Sequence, residues 1–154
     1  LSNEKFNPNE VVEDVINMIK KEAAKKNISI EVEKKFNGLL VGDKDKFYQV
    51  VLNLTTNSIK YSNENGNVKI FTNKSKDKFV LMVKDDGIGI PKEDLPRIFE
   101  RFYIVDKSRT SKSTGLGLAI VKHIVKLFNG EIFVESEVGK GSKFTVISKN
   151  VYCE

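Results

Sequence analysis

The sequence predicts an α+β fold. Segments of helical period alternate with segments of period two, most strand links are of hairpin length, and no strand–helix–strand run of the dinucleotide-binding kind appears. The expected architecture is a two-layer α/β sandwich. A mixed, mainly antiparallel sheet of about five strands would carry three main helices on one face.

Asn7-Pro8-Asn9-Glu10 opens the first helix: Asn7 caps, Pro8 takes the first position and Glu10 can close a capping box. Val12, Val15, Ile16, Ile19 and Ala23 follow at helical spacing, and Asn27 ends the run. Ile28 to Glu33 alternates apolar and polar as a strand does, and Leu39 to Val41 is a second, short strand. Asp43 caps a central helix that reaches Tyr61, with Phe47, Val51, Leu54 and Ser58 turned toward a core. After a turn at Asn63–Asn67, Val68 to Thr72 and Lys78 to Asp85 form an antiparallel pair around residues 73–77. Pro91 starts a short helical segment through Leu95, Ile98, Phe99 and Phe102, interrupted at Pro96. Asp106 to Thr114 is a polar loop. Leu118 to Phe128 is an amphipathic helix stopped by Asn129-Gly130, and strands at Glu131–Glu135 and Lys143–Ser148 flank Gly139-Lys-Gly141.

The 154 residues are 40% apolar and 31% charged, which suits one globular domain over residues 1–154. The net charge of +5 favours an anionic ligand, but Lys and Arg are interleaved with Asp and Glu. That pattern argues against nucleic acid. Cys153, the one cysteine, has no intrachain disulfide partner and fits a reducing compartment. With no signal peptide or bilayer-length apolar run, a cytoplasmic fragment without direct membrane contact is expected. Leu1 in place of an initiator Met suggests a piece of a longer protein.

Three stretches carry chemistry. Asn53, Asn57 and Lys60 fall at i, i+4 and i+7, one polar stripe along the edge of the central helix's apolar face. Amide oxygens suit Mg²⁺ and an ammonium suits phosphate. Asp85 ends a strand directly before Gly87 and Gly89, where a buried carboxylate can accept from an exocyclic amine such as that of adenine. Gly115-Leu116-Gly117-Leu118 opens a helix whose free N–H groups favour an anion. His123, the sole histidine, is expected in the core of that helix, with a structural role.

Five segments in order resemble the boxes of sensor histidine kinases: Gln49–Ser62 the N box, Asp85–Pro91 the first glycine box, Ile98–Tyr103 the F box, Thr114–Ile120 the second glycine box and Ser136–Phe144 the third. The resemblance implies the ATP-binding catalytic domain, with the sandwich fold shared by gyrase, Hsp90, histidine kinases and MutL. By position, Asn57 would coordinate Mg²⁺ with Asn53 close by, and Lys60 would contact phosphate. Tyr61 would line the site, and Asp85 would bind the adenine amine with Gly87 and Gly89. Residues 103–114 would be the ATP lid, with Gly115 and Gly117 at its hinge beside the phosphates, and Thr114, Leu116 and Leu118 would join them in binding the nucleotide. Phe99 and Phe102 would pack the lid's base. Implied partners are a histidine-bearing dimerisation domain of the same parent protein and a response regulator, the fragment being monomeric and the parent a homodimer.

Three departures stand out: Ile104 where the family commonly has arginine, Ser113 where it often has glycine, and no phosphoacceptor histidine. Arg101, Lys107 and Arg109 are the candidates to replace the missing arginine. Alternatives are an ATP-operated conformational module of the gyrase, Hsp90 or MutL kind, with Asp45 as its one poorly placed activating carboxylate, a related serine kinase acting on a protein partner, or a nucleotide binder that has lost transfer.

Overall fold

The chain runs β1 (Glu4–Phe6), α1 (Pro8–Lys25), β2 (Ser29–Lys34), β3 (Leu40–Gly42), α2 (Lys44–Tyr61), β4 (Asn67–Ser75), β5 (Lys78–Asp85), α3 (Gly117–Leu127), β6 (Gly130–Glu137) and β7 (Gly141–Ser148). The computed structural model describes residues 2–105 and 117–153. Both expected caps form. Asn7 Oδ1 accepts from the Asn9 amide at 2.9 Å, and Asp43 Oδ1 from the Lys46 amide at 3.1 Å. The capping box does not close through a Glu10 side chain; the Glu10 amide donates to the Asn7 carbonyl at 3.2 Å instead. Asn27 and Asn129 end α1 and α3 in the left-handed region, at φ 52 and 55.

The main sheet has the order β2-β4-β5-β7-β6, parallel between β2 and β4 and antiparallel elsewhere. Its inner rows match in register. Ile70, Val83, Phe144 and Val134 make one row; Thr72, Leu81, Val146 and Ile132 make the next. Most of these side chains are buried under the helices, whereas Phe71, Met82 and Phe133 lie on the opposite face. α2 is the middle helix, packed between α1 and α3, and sets Phe47, Val50, Val51 and Leu54 into the core. Phe79 is enclosed by Phe36, edge-on at 4.9 Å, and by Phe47 at 5.8 Å between centroids.

Four features differ from the sequence reading. β1 and β3 form a separate two-stranded sheet, to which Leu40 adds a bridge to Val151. β4 continues to Ser75, because Lys76, at φ 59, and Asp77 turn the chain in two residues. The segment after Pro91 is not an α-helix. Bonds of Asp94 to Pro91, Arg97 to Asp94, Glu100 to Arg97 and Tyr103 to Glu100 make a succession of three-residue turns, with a 3-10 helix at Leu95–Arg97. Pro96 has no N–H to give an α-helical ladder, and the period of three brings Asp94, Arg97, Glu100 and Tyr103 together. Tyr103 donates to Asp94, and Arg97 lies over the Tyr103 ring at 4.4 Å. Finally, His123 is exposed. Val121, Ile124 and Val125 take the buried side of α3, and His123 falls about 200° around the helix from Val121.

Truncating Phe79 to alanine should lower the unfolding free energy by about 3–5 kcal/mol, since its two aromatic neighbours, Phe36 and Phe47, cannot close the gap. Met18→Ala, on the exposed side of α1, should stay within about 0.5 kcal/mol of the wild type. Chemical denaturation followed by circular dichroism measures both.

Candidate functional site

Alternation along β5 puts Phe79, Leu81, Val83 and therefore Asp85 on the inner face. The strand thus ends by delivering a carboxylate into the end of the core, where Asp85 is 4% exposed. α2 approaches from above. With its apolar stripe fixed on the sheet, Asn53, Asn57 and Lys60 are turned to its flank. A cavity of about 340 Å³ opens there, and Asn53, Thr56, Asn57, Lys60, Tyr61 and Asp85 all line it. Its remaining wall comes from Ile88, Gly89, Ile90, Ile98, the Tyr103–Val105 segment, Gly117, Leu118 and Ser142.

Three backbone segments meet behind this wall: the end of α2, the loop after β5 and the β6–β7 turn. The Ile88 amide donates to the Tyr61 carbonyl at 3.1 Å, and the Gly139 amide to the Ile88 carbonyl at 2.9 Å. The Ile90 amide donates to Ser136 Oγ at 2.7 Å. These approaches require glycine. A Cβ on Gly87 would strike the Tyr61 carbonyl, and one on Gly89, at φ +74, the Glu137 carbonyl. Gly141, at φ +117, passes against the Asp85 carbonyl in the same way. Gly87 therefore stands behind the cavity wall, while Gly89 is part of it.

Burial pushes the Asp85 carboxyl above its ordinary pKa. The Gly87 amide, donating to Oδ1 at 2.9 Å, opposes that shift, as do the Ser58 hydroxyl and the Ser142 amide, while the charge of Asp86 adds to it. Ser58 Oγ lies close enough to Asp85 to favour its ionised form, yet falls short of hydrogen-bond geometry. Ser58 Oγ is the one buried side-chain polar atom without a partner among the described residues. Burial also lowers the Lys60 pKa. Lys60 has no acidic partner within ion-pair distance among the described residues, so an anion in the cavity would relieve its desolvation. Lys26 braces this end of α2, donating to the Ile59 and Lys60 carbonyls at 2.9 and 3.1 Å.

The site offers a carboxylate for a hydrogen-bond donor at its base and an ammonium with two carboxamides along one side. Asn53 Nδ2 donates to the Gly117 carbonyl at 3.4 Å, leaving Oδ1 as an acceptor. The Asn57 carboxamide has no partner among the described residues, and no group of three or more His, Cys, Asp or Glu able to hold a metal occurs among them. This donor set fits a hard cation that keeps most of its water and shares it with phosphate oxygens.

The structure brings together Asn53, Asn57, Lys60, Tyr61, Asp85, Gly89, Gly117 and Leu118. Thr114, Gly115 and Leu116 lie outside the described residues, as do Lys107, Arg109 and the lid assignment from residue 106 onward. Phe99 packs edge-on against Phe144 at 6.3 Å, and Phe102 is 68% exposed at φ 68. Ile104 lines the cavity, whereas Arg101 is exposed beside the Phe102 ring. Ser142 and Ser58 were not foreseen as site residues. For Ser58 the signal was a hydroxyl placed on an otherwise apolar helix face.

Residues 42–150 match the family model described as histidine kinase-, DNA gyrase B- and HSP90-like ATPase. The sensor histidine kinase WalK of Bacillus subtilis is 48% identical over 107 residues, 67% of this chain and 18% of that protein. The sensor histidine kinase YclK of the same organism is 36% identical over 140 residues, 89% of this chain and 29% of that protein. This chain thus spans less than a third of the length of these relatives. The nucleotide-free catalytic domain of the histidine kinase ThkA superimposes with a TM-score of 0.87 at 26% identity, covering 97% of each chain. ThkA in complex with the response regulator protein TrrA matches with a TM-score of 0.80 at 27% identity, over 96% of this chain and 42% of that one.

Replacing Asp85 by asparagine should leave the free protein at least as stable as the wild type at neutral pH. The folded pKa is raised, so the ionised form is the disfavoured one. Stability is therefore lost as pH rises from the ordinary carboxylate range through the folded pKa, and asparagine escapes that loss. In thermal melts the difference between the two proteins should shrink as pH falls below about 3, where the aspartate is neutral in both states.

Proposed function

Because the chain belongs to the family of histidine kinase-, DNA gyrase B- and HSP90-like ATPases, we propose that it is the Mg-ATP-binding catalytic domain of a sensor histidine kinase. Its task is to present the ATP γ-phosphate to a histidine on a separate dimerisation domain, for relay to a response regulator. The observation that carries this reading is one cavity with a buried carboxylate, Asp85, at its base and Asn53, Asn57 and Lys60 along its side. Asp85 accepts from the adenine amine. Lys60 holds phosphate oxygens, and Asn57 with Asn53 supplies amide oxygens to Mg²⁺. When bound, the cation neutralises charge that develops on the phosphates. Gly117 and Leu118 begin α3, whose first N–H groups are free for an anion. The chain's contribution to catalysis is positioning and charge compensation, and the attacking imidazole belongs to the partner domain.

His123 on the exposed side of α3 is outside the cavity and is not the acceptor. The gyrase-like reading needs a carboxylate that activates water. Asp45 is exposed in the first turn of α2 and does not line the cavity. A nucleotide binder without transfer is the second reading, favoured by Ile104, which puts an apolar side chain in the cavity wall where an arginine would reach phosphate. No helix among the described residues is long and apolar enough to cross a membrane. The reading places this domain in the cytoplasm, monomeric by itself, within a homodimeric parent.

With its own histidine-bearing domain added, this chain should transfer radiolabel from γ-labelled ATP to that domain and carry little label itself. The His123→Ala variant should behave identically. Tight Mg-ATP binding with no labelled protein would favour the binder reading, and acid-labile label that vanishes in His123→Ala would make His123 the acceptor. Asn57→Ala should weaken nucleotide binding in Mg²⁺ by about tenfold while changing metal-free binding little, because losing one of few protein ligands matters most when the cation is present. Calorimetry with and without Mg²⁺ reads the difference, and equal losses would assign Asn57 a structural role.

A further inference from the structure

Four serine and threonine side chains stand near the cavity end of α2 and its C-cap, and three of them are satisfied by the helix itself. Thr55 Oγ1 donates to the Val51 carbonyl at 2.8 Å and Thr56 Oγ1 to the Leu52 carbonyl at 2.8 Å. Ser62 Oγ at the C-cap donates to the Ser58 carbonyl at 2.6 Å. Ser58 does not follow them. Its residue is fully buried, its Oγ has no partner, and it continues the Phe47, Val51 and Leu54 stripe that faces β5. A buried hydroxyl left unsatisfied costs about 1–3 kcal/mol, and alanine at this place would serve the packing better. The hydroxyl lies beside Asp85, whose Oδ1 is already held by the Gly87 amide at 2.9 Å.

We propose that Ser58 is a specificity-determining residue of the nucleotide site, a positioning residue that acts through Asp85. When the 6-amine of adenine donates to the Asp85 carboxylate, the Ser58 hydroxyl turns onto the same carboxylate from behind and holds it facing the base. In the free protein the hydroxyl lies beside the carboxylate without completing a hydrogen bond to it. Ser58 does not line the cavity and touches no ligand; it backs the one carboxylate that does. The inference rests on the reading of Asp85 as the adenine contact.

The experiment compares this chain with its Ser58→Ala and Asp85→Asn variants. Calorimetry measures affinity for ATP and for purine riboside triphosphate, which lacks the 6-amine. Ser58→Ala should weaken ATP binding about tenfold and leave purine riboside triphosphate within about twofold, the loss of one hydrogen bond to a charged group. Its melting temperature without nucleotide should change little, since the hydroxyl removed completes no hydrogen bond there. Equal weakening for both nucleotides, or a lower melting temperature in the free protein, would make Ser58 a structural residue and overturn the proposal. Unchanged affinity for both would overturn it as well. Asp85→Asn separates the two layers of the argument. If Asp85→Asn weakens binding of the two nucleotides equally, or of neither, the adenine assignment itself falls. If Asp85→Asn weakens ATP binding selectively and Ser58→Ala does not, only the role of Ser58 falls.

Discussion

The packing of α2 on the inner face of β5 is the contact on which the remaining structure depends. Phe47, Val51 and Leu54 are buried almost completely, and each such side chain is worth about 1.5–3 kcal/mol of transfer free energy. That burial fixes the rotation of the helix about its own axis. Once the apolar stripe is down, Asn53, Asn57 and Lys60 have one direction left to point, the flank where α3 begins. Asn53 already bonds across that gap to Gly117. The site's polar geometry is therefore a by-product of core packing, and a rotated helix would lose both at once.

The same packing allows a carboxylate to be buried. β5 alternates, and Asp85 follows Val83 onto the inner face whether or not the core welcomes a charge. Its isolation is relieved by the Gly87 and Ser142 amides, and those donors are in reach because glycines let backbones touch. Gly87, Gly89 and Gly141 each stand where a Cβ would meet a carbonyl oxygen. These glycines build the wall of the site, and the ligand meets what they hold in place. Lys26 adds a second brace from α1, setting its ammonium against the last carbonyls of the helix that carries Lys60.

The outer surface has a different logic. α3 buries Val121, Ile124 and Val125 and leaves Ile120, His123 and Leu127 toward solvent. Phe102 is exposed nearby in sequence, in a left-handed conformation at the end of the run of three-residue turns. Apolar side chains in such positions leave a surface that another chain or domain can cover.

The sequence by itself determined the three helices and the strands that follow α1 in their order, the caps of α1 and α2, the five-stranded mixed sheet and the polar stripe of α2. Those features are written locally, in periods of 3.6 and 2 and in capping residues whose hydrogen bonds span a few positions. It also pointed to Asp85 as a buried acceptor, because strand alternation needs no partner to be read. Tertiary structure alone decided the small β1–β3 sheet, since a three-residue strand has no periodic signal and exists only where a distant edge receives it. It decided that His123 faces water, because a helix bordered by apolar residues on both sides of one position does not disclose which side the core takes. It decided the purpose of the glycines, which lies in contacts between segments far apart in the chain. And it decided the isolation of Ser58. A serine on an apolar stripe is visible in the sequence, but whether its hydroxyl finds a carbonyl or is left beside a carboxylate depends on what the fold packs against it.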